Sequence, residues 1–263
     1  MVSGKSSKAV RNARASVVTK RATPWGTIAA VAVVVLLAVG VFGYGYTANQ
    51  AKQDHQAALA RFTPSAENKD PSLQIAGIVT QQYAGGQHVT PDKQVAYTHS
   101  PPFGGAHDGY WAACNGVVYP TAVRSENLVH SLEHGAVWIA YNPDQVSGDA
   151  LSTLSKKVDG ERYMVMSPYP GLDSPVSLQS WGHQLKVGDV ADPRVDEFIS
   201  SLKQNQYTHP EVGASCDATG PGAFDQDNPP PFVAAPAPGT PGSQPEISSA
   251  PATVAPDAPV PGQ

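Results

Sequence analysis

The strongest pattern along the chain is a run of 22 uncharged positions, WGTIAAVAVVVLLAVGVFGYGY, over residues 25–46. As a helix rising about 1.5 Å per residue it reaches roughly 33 Å, enough to cross a bilayer. Trp25 at one end and Tyr44 and Tyr46 at the other are placed like interfacial anchors. This run predicts one transmembrane helix.

Periodic segments resume over residues 73–220, a length suited to one domain with its own core. LQIAGIVTQQY (73–83) reads as a strand or short helix and QVAYTH (94–99) as a strand, followed by the irregular loop SPPFGGAHDG (100–109). Residues 125–134 predict a helix that Gly135 stops, and AVWIAYN (136–142) a buried strand. SGDALSTLSKKV (147–158) predicts a helix capped by Ser147, with Leu151, Leu154 and Val158 on one face. RYMVMSP (162–168) predicts a strand, and VSLQSWGHQLKV (176–187) one or two more around Gly182. DPRVDEFISSLKQN (192–205) predicts an amphipathic helix capped by Asp192. Helices and strands alternate without a clean βαβ cadence. The expected fold is therefore α+β: a single compact domain with a mixed or antiparallel sheet and two or three packed helices, preceded by the transmembrane helix.

The flanking segments set the topology. Residues 1–24 carry Lys5, Lys8, Arg11, Arg14, Lys20 and Arg21 with no acidic residue, so the positive-inside rule keeps this end cytoplasmic and exports the rest. The apolar run is longer than a usual signal-peptide core, which favours an uncleaved signal-anchor over 25–46. Residues 47–72 are polar with an alanine-rich middle and read as a stalk. From 221 to 263 the chain reads as a disordered, proline-rich tail, with eleven prolines and no Lys or Arg in its last 35 residues.

Charge and cysteine usage then narrow the function. Six of the 17 Lys and Arg precede the apolar run, leaving 11 against 22 Asp and Glu in the exported part, which argues against nucleic acid as a partner. The two cysteines, Cys114 and Cys216, both lie beyond the span, where an oxidising compartment favours a disulfide between them; no C-x-x-C supports a redox role.

The densest chemistry lies in ENLVHSLEHG (126–135). On a helix, His130 and His134 share one face one turn apart with Glu133 beside them. Imidazoles at i and i+4 chelate zinc or copper, a third ligand is available from His107 in the Gly-rich loop, and His99 is a candidate fourth. Met164 and Met166 add a thioether option that favours copper, although their i, i+2 spacing equally marks the core face of a strand. His130-Ser131-Leu132-Glu133-His134 also fits the H-x-x-E-H pattern of inverted zinc peptidases, with Glu133 as the general base and Glu211 as a downstream ligand. Ser131, adjacent to the histidines in a helix, does not face them as a triad serine would. The third possibility is a docking or assembly subunit with structural histidines, binding an envelope partner or a second copy. Tyr97, Tyr110, Trp111, Tyr119, Trp138, Tyr141 and Trp181 would then supply contact surface.

The loop Pro101-Pro102-Phe103-Gly104-Gly105-Ala106-His107, together with Glu126 to Gly135 and the apolar strand to Tyr141, resembles the bacterial domain of unknown function 3105 family. The likeness extends weakly to SPYPGLDSPVSLQSWG (167–182) and covers most of 90–205. The loop departs from the family's more usual Pro-Pro-Thr-Ser-Gly-Pro-His but keeps its histidine. The resemblance implies no activity, so the chemistry rests on the residues.

Overall fold

The computed structural model describes residues 24–247, 253 and 254. Most of the predicted basic cytoplasmic segment and the last part of the tail lie outside the described residues. Two compact units are present, one up to Ala57 and one from Ala58 onward. In the first, helix α1 begins at Trp25 and runs to Leu59 with no buried residue, its apolar stretch long enough to cross a membrane.

The second unit is built on a seven-stranded mixed sheet. Its strands are β1 (Val79–Thr80), β5 (Asn115–Val118), β6 (Val137–Tyr141), β7 (Met164–Pro168), β8 (Val176–Ser180), β9 (His183–Val187) and β11 (Thr253–Val254), in the order β11-β1-β9-β8-β6-β7-β5. The parallel pairs are β5 with β7 and β6 with β7; the remaining pairs are antiparallel. Two small parallel pairs flank it: β2 (His88–Val89) with β4 (His107–Asp108), and β3 (Val95–Ala96) with β10 (Gln244–Pro245). Three helices complete the unit: α2 (Ser125–Glu133), α3 (Gly148–Val158) and α4 (Arg194–Leu202). The α+β expectation holds, with one local difference: β6, α3 and β7 form a βαβ unit, because β6 and β7 are parallel neighbours.

Side chains alternate across the sheet and divide the core in two. Val137, Ile139, Met164, Met166, Leu178 and Leu185 pack with Leu154, Val158 and Phe198 of α3 and α4. Trp138, Ala140 and Val165 point the other way and pack with Leu128, Val129 and Leu132 of α2. Both methionines therefore lie on the face away from the α2 histidines, which removes the thioether option.

Residues on both sides of 73–220 also pack against the domain. The stretch read as a stalk contributes Phe62 to the core, and Asp70 both caps the 3₁₀ turn Pro71–Gln74 and meets His183 Nε2 at 2.9 Å. Past residue 220, Phe224 is fully buried with its ring 6.1 Å from that of Tyr119, and Phe232 packs on Tyr169 at 4.9 Å. Glu246 accepts hydrogen bonds from the Tyr83 hydroxyl (2.9 Å) and the Thr98 N–H (2.7 Å). Proline-rich composition predicts a solvated tail here, but two aromatic rings and one carboxylate hold residues 224–246 against the domain. Phe224→Ala should lower the unfolding free energy by about 3–5 kcal/mol in denaturant titration, the range for large-to-small core changes, whereas Val233→Ala, an exposed site, should stay within about 0.5 kcal/mol.

Candidate metal centre

The histidine face is created by how α2 is laced to the loop before it. The Asn127 amide donates to the Tyr110 carbonyl (2.7 Å), the Ala112 N–H to the Asn127 carbonyl (2.9 Å), and the Ser131 hydroxyl to the Ala112 carbonyl (2.7 Å). Ser131 is thus spent on the backbone, as its place beside the histidines requires. Arg124 pairs with Asp108 and lies 3.3 Å from Glu126, whose carboxylate accepts from the Val95 N–H at 2.9 Å. With the loop fixed, its carbonyls become anchors for the imidazoles.

Helix α2 ends in a Schellman turn. The Gly135 N–H donates to the Leu132 carbonyl (2.9 Å) and the Ala136 N–H to the Ser131 carbonyl (3.1 Å). Gly135 has φ +92°, and a Cβ there would meet the His209 ring at 2.6–2.9 Å, so glycine is required on both counts. The turn directs Glu133 and His134 into the domain.

Two groups of candidate ligands result, each with one donor atom per residue and all such atoms within 4.8 Å of one another: His88, His107, His130 and Glu133, and a second of His130, His134 and Glu211. The single site expected for His107, His130 and His134 is divided: His107 falls in the first group, His134 in the second, and His130 is common to both, its ring centroid 4.8 Å from that of His107 and 4.6 Å from that of His134. His99 is not brought in. It follows β3 half-buried, 4.7 Å from the Phe103 ring, with Nδ1 3.2 Å from the Thr98 hydroxyl. Its expected place is taken by His88, which the parallel β2–β4 pairing sets opposite His107, with rings 4.9 Å apart.

Each α2 and loop histidine has one nitrogen committed to the backbone. Nδ1 of His107 lies 2.8 Å from the Gly105 carbonyl, Nδ1 of His130 2.6 Å from that of Asp108, and Nδ1 of His134 2.6 Å from that of Ser215. A carbonyl only accepts, so Nδ1 carries the proton and the Nε2 lone pair is left free, as in imidazoles that bind a metal through one nitrogen while a hydrogen bond from the other orients the ring. Glu133 is fully buried, with Oε1 accepting from the Gly86 N–H at 2.6 Å. Gly85 makes that approach possible, since a Cβ there would sit 2.9 Å from Oε1. Oε2 lies 2.8 Å from His107 Nε2, close but not aligned as a hydrogen bond, so both buried atoms lack a directed partner. Donor atoms on a tetrahedral ion with bonds near 2.0–2.1 Å sit roughly 3.3 Å apart, so at 2.8 Å this pair would have to open by about 0.5 Å to hold one.

Electrostatics match that arrangement. Burial, then the neighbouring His107 and His134, push His130 down to about 3, leaving its imidazole neutral. Burial also lowers His134, against the Ser215 carbonyl, Glu211 and Glu133. Burial raises Glu133, but His107, the Gly86 N–H and His130 outweigh it and keep the carboxylate below its usual range. Burial thus favours neutral imidazoles at His130 and His134 beside an ionised Glu133.

The family model described as "Protein of unknown function (DUF3105)" matches residues 88–218. The folded domain belongs to this family. No curated protein and no solved structure matches the chain. The match to the DUF3105 family begins at His88 and takes in every grouped ligand through Glu211. Five of the seven aromatic residues considered for a docking surface, Tyr97, Tyr119, Trp138, Tyr141 and Trp181, are buried in this DUF3105 domain.

The disulfide joins Cys114 to Cys216, 102 positions apart with Cα atoms 4.8 Å apart, beside the Ser215 carbonyl that holds His134. Reduction should cost up to about 4–5 kcal/mol by the chain-entropy estimate for a loop of about 100 residues. Denaturant midpoints with and without reductant measure this, and thiol assay of the unfolded, unreduced protein should find no free cysteine.

Proposed function

We propose that this protein is a single-pass membrane protein, N-terminus cytoplasmic, whose exported DUF3105 domain binds one zinc or copper(II) ion through His88, His107, His130 and Glu133. One observation carries the reading. His107 Nε2 and Glu133 Oε2 face each other at 2.8 Å, both buried and neither with a directed hydrogen bond, beside a His130 ring whose Nδ1 is already committed. A carboxylate buried at the C-terminal end of a helix with one oxygen, Oε2, lacking a directed hydrogen bond is unfavourable on both counts, and a divalent cation would relieve both. Three nitrogens and one oxygen suit zinc or copper(II), and the placement of Met164 and Met166 across the sheet argues against a soft, thioether-rich copper(I) site.

The peptidase reading gains one feature, since His130, His134 and Glu211 do group together. It is the weaker reading because Glu133, its general base, is buried and engaged with Gly86 and His107 rather than set beside that group's open side.

Full-length protein in detergent, stripped by chelator and then incubated with zinc or copper(II), should retain about one ion per chain, and the His107→Ala/Glu133→Gln variant should lose tight binding. A parent that retains nothing, or a variant that binds as the parent does, rejects the site; circular dichroism and the intact disulfide confirm that the variant is folded. For topology, protease added to intact spheroplasts should remove the chain beyond residue 47 while sparing the N-terminus. Complete protection would contradict the orientation.

A further inference from the structure

The two ligand groups share His130, and that sharing limits what they can do together. His130 Nδ1 lies 2.6 Å from the Asp108 carbonyl, so only Nε2 offers a lone pair, and one lone pair binds one ion. The groups are therefore alternative positions for a single ion. They are not the two halves of a two-ion centre.

The positions differ in access and in donor count. The inner one has four ligands, with the side chains of His107 and Glu133 fully buried. The outer one has three, and its carboxylate, Glu211, is 39% exposed and lies 3.1 Å from the buried His134 Nε2. His88, 45% exposed, gives the inner position its own solvent edge, but it brings a single ligand and no carboxylate there. Glu211 brings negative charge, which draws cations from solution, together with a second ligand in His134. The two sets are linked by a chain of rings, with His130 4.6 Å from His134 on one side and 4.8 Å from His107 on the other. The Trp111 ring lies over the outer pair, 4.8 Å from His134 and 5.6 Å from His130.

Resting on the reading that the inner group binds zinc or copper(II), we propose that His134 and Glu211 form a capture position. A divalent ion is taken up there and passed inward, exchanging His134 and Glu211 for His107, Glu133 and His88 while His130 stays bound. No electron moves and no covalent bond forms. Each step swaps one donor for another, so the exchange has no ligand-free state to cross. The segment carrying Glu211 is tied to the site by the Glu211 N–H, which donates to the Glu133 carbonyl at 3.2 Å. The outer ligands therefore keep a fixed place relative to the inner ones.

Stopped-flow measurement of Trp fluorescence quenching by copper(II), with zinc competition for equilibrium binding, tests this on the full-length protein in detergent. The parent should saturate at one ion per chain. Glu211→Gln should keep that stoichiometry but load more slowly, by roughly ten-fold, the lower end of what electrostatic steering supplies. His107→Ala should still bind one ion, more weakly, at the outer position, and adding Glu211→Gln to it should abolish that residual binding. Trp111→Phe should remove the part of the quenching that reports the outer position, leaving that of Trp181, whose ring lies 5.7 Å from His107 at the inner one, without changing stoichiometry. Two ions per chain at saturation, an unchanged loading rate in Glu211→Gln, or no residual binding in a folded His107→Ala would each overturn the capture position. A parent that binds no ion fails the inner-site reading instead, so the two failures are distinguishable.

Discussion

A buried carboxylate at the wrong end of a helix organises this domain. Glu133 stands in the last turn of α2, where backbone carbonyls already concentrate negative charge, and its side chain has no exposure to water. Burying such a charge costs several kcal/mol unless it is paired and hydrogen-bonded. The structure supplies the Gly86 N–H at 2.6 Å, made reachable by Gly85, and sets His107 at 2.8 Å through the β2–β4 pairing. The same residue's backbone carbonyl holds the Glu211 segment. Loop, strand pair and C-terminal segment all converge on one residue, and what they build is a buried cluster of imidazoles and a carboxylate that could hold a metal ion.

The sheet separates stability from chemistry. Its α3 and α4 face is an apolar layer, closed at one edge by Phe62. The α2 face carries the second apolar cluster beneath the histidine group. On that side order comes from side-chain to backbone bonds in place of long strands: Asn127, His130 and Ser131 each engage a carbonyl of residues 108–112. The Cys114–Cys216 bond fastens the far end of this arrangement, fixing Ser215 beside His134. Ligands held this way are aimed before any ion arrives, which lowers the ordering cost of binding.

The elements with a local period were readable from sequence. The run 137–141, α3 and α4 announce themselves by apolar spacing, and Gly135 by its place after the last periodic residue. His107, His130, His134 and Glu133 were visible for the same reason, as an i, i+4 pair beside a glycine-rich loop. His88 was not, because it sits in a two-residue strand whose register with His107 is a long-range pairing that leaves no local pattern. His99 lies near the loop in sequence, but its ring packs on Phe103 and it joins neither ligand group. Period-two spacing correctly put Met164 and Met166 on one face, but which face the histidines use is decided by where α2 packs. Phe224 was hidden by the proline and glycine around it, since composition reports an average and a few anchoring residues, here Phe224, Phe232 and Glu246, hold the strap.

The central claim is that nitrogen and oxygen donors of this cluster hold a divalent ion. X-ray absorption at the metal edge of the loaded, full-length protein addresses it directly. The account predicts a first shell of nitrogen and oxygen only, near 2.0–2.1 Å for zinc, with the outer-shell scattering of at least two imidazole rings. A sulfur shell near 2.3 Å, or a first shell of water oxygens without imidazole scattering, would contradict it.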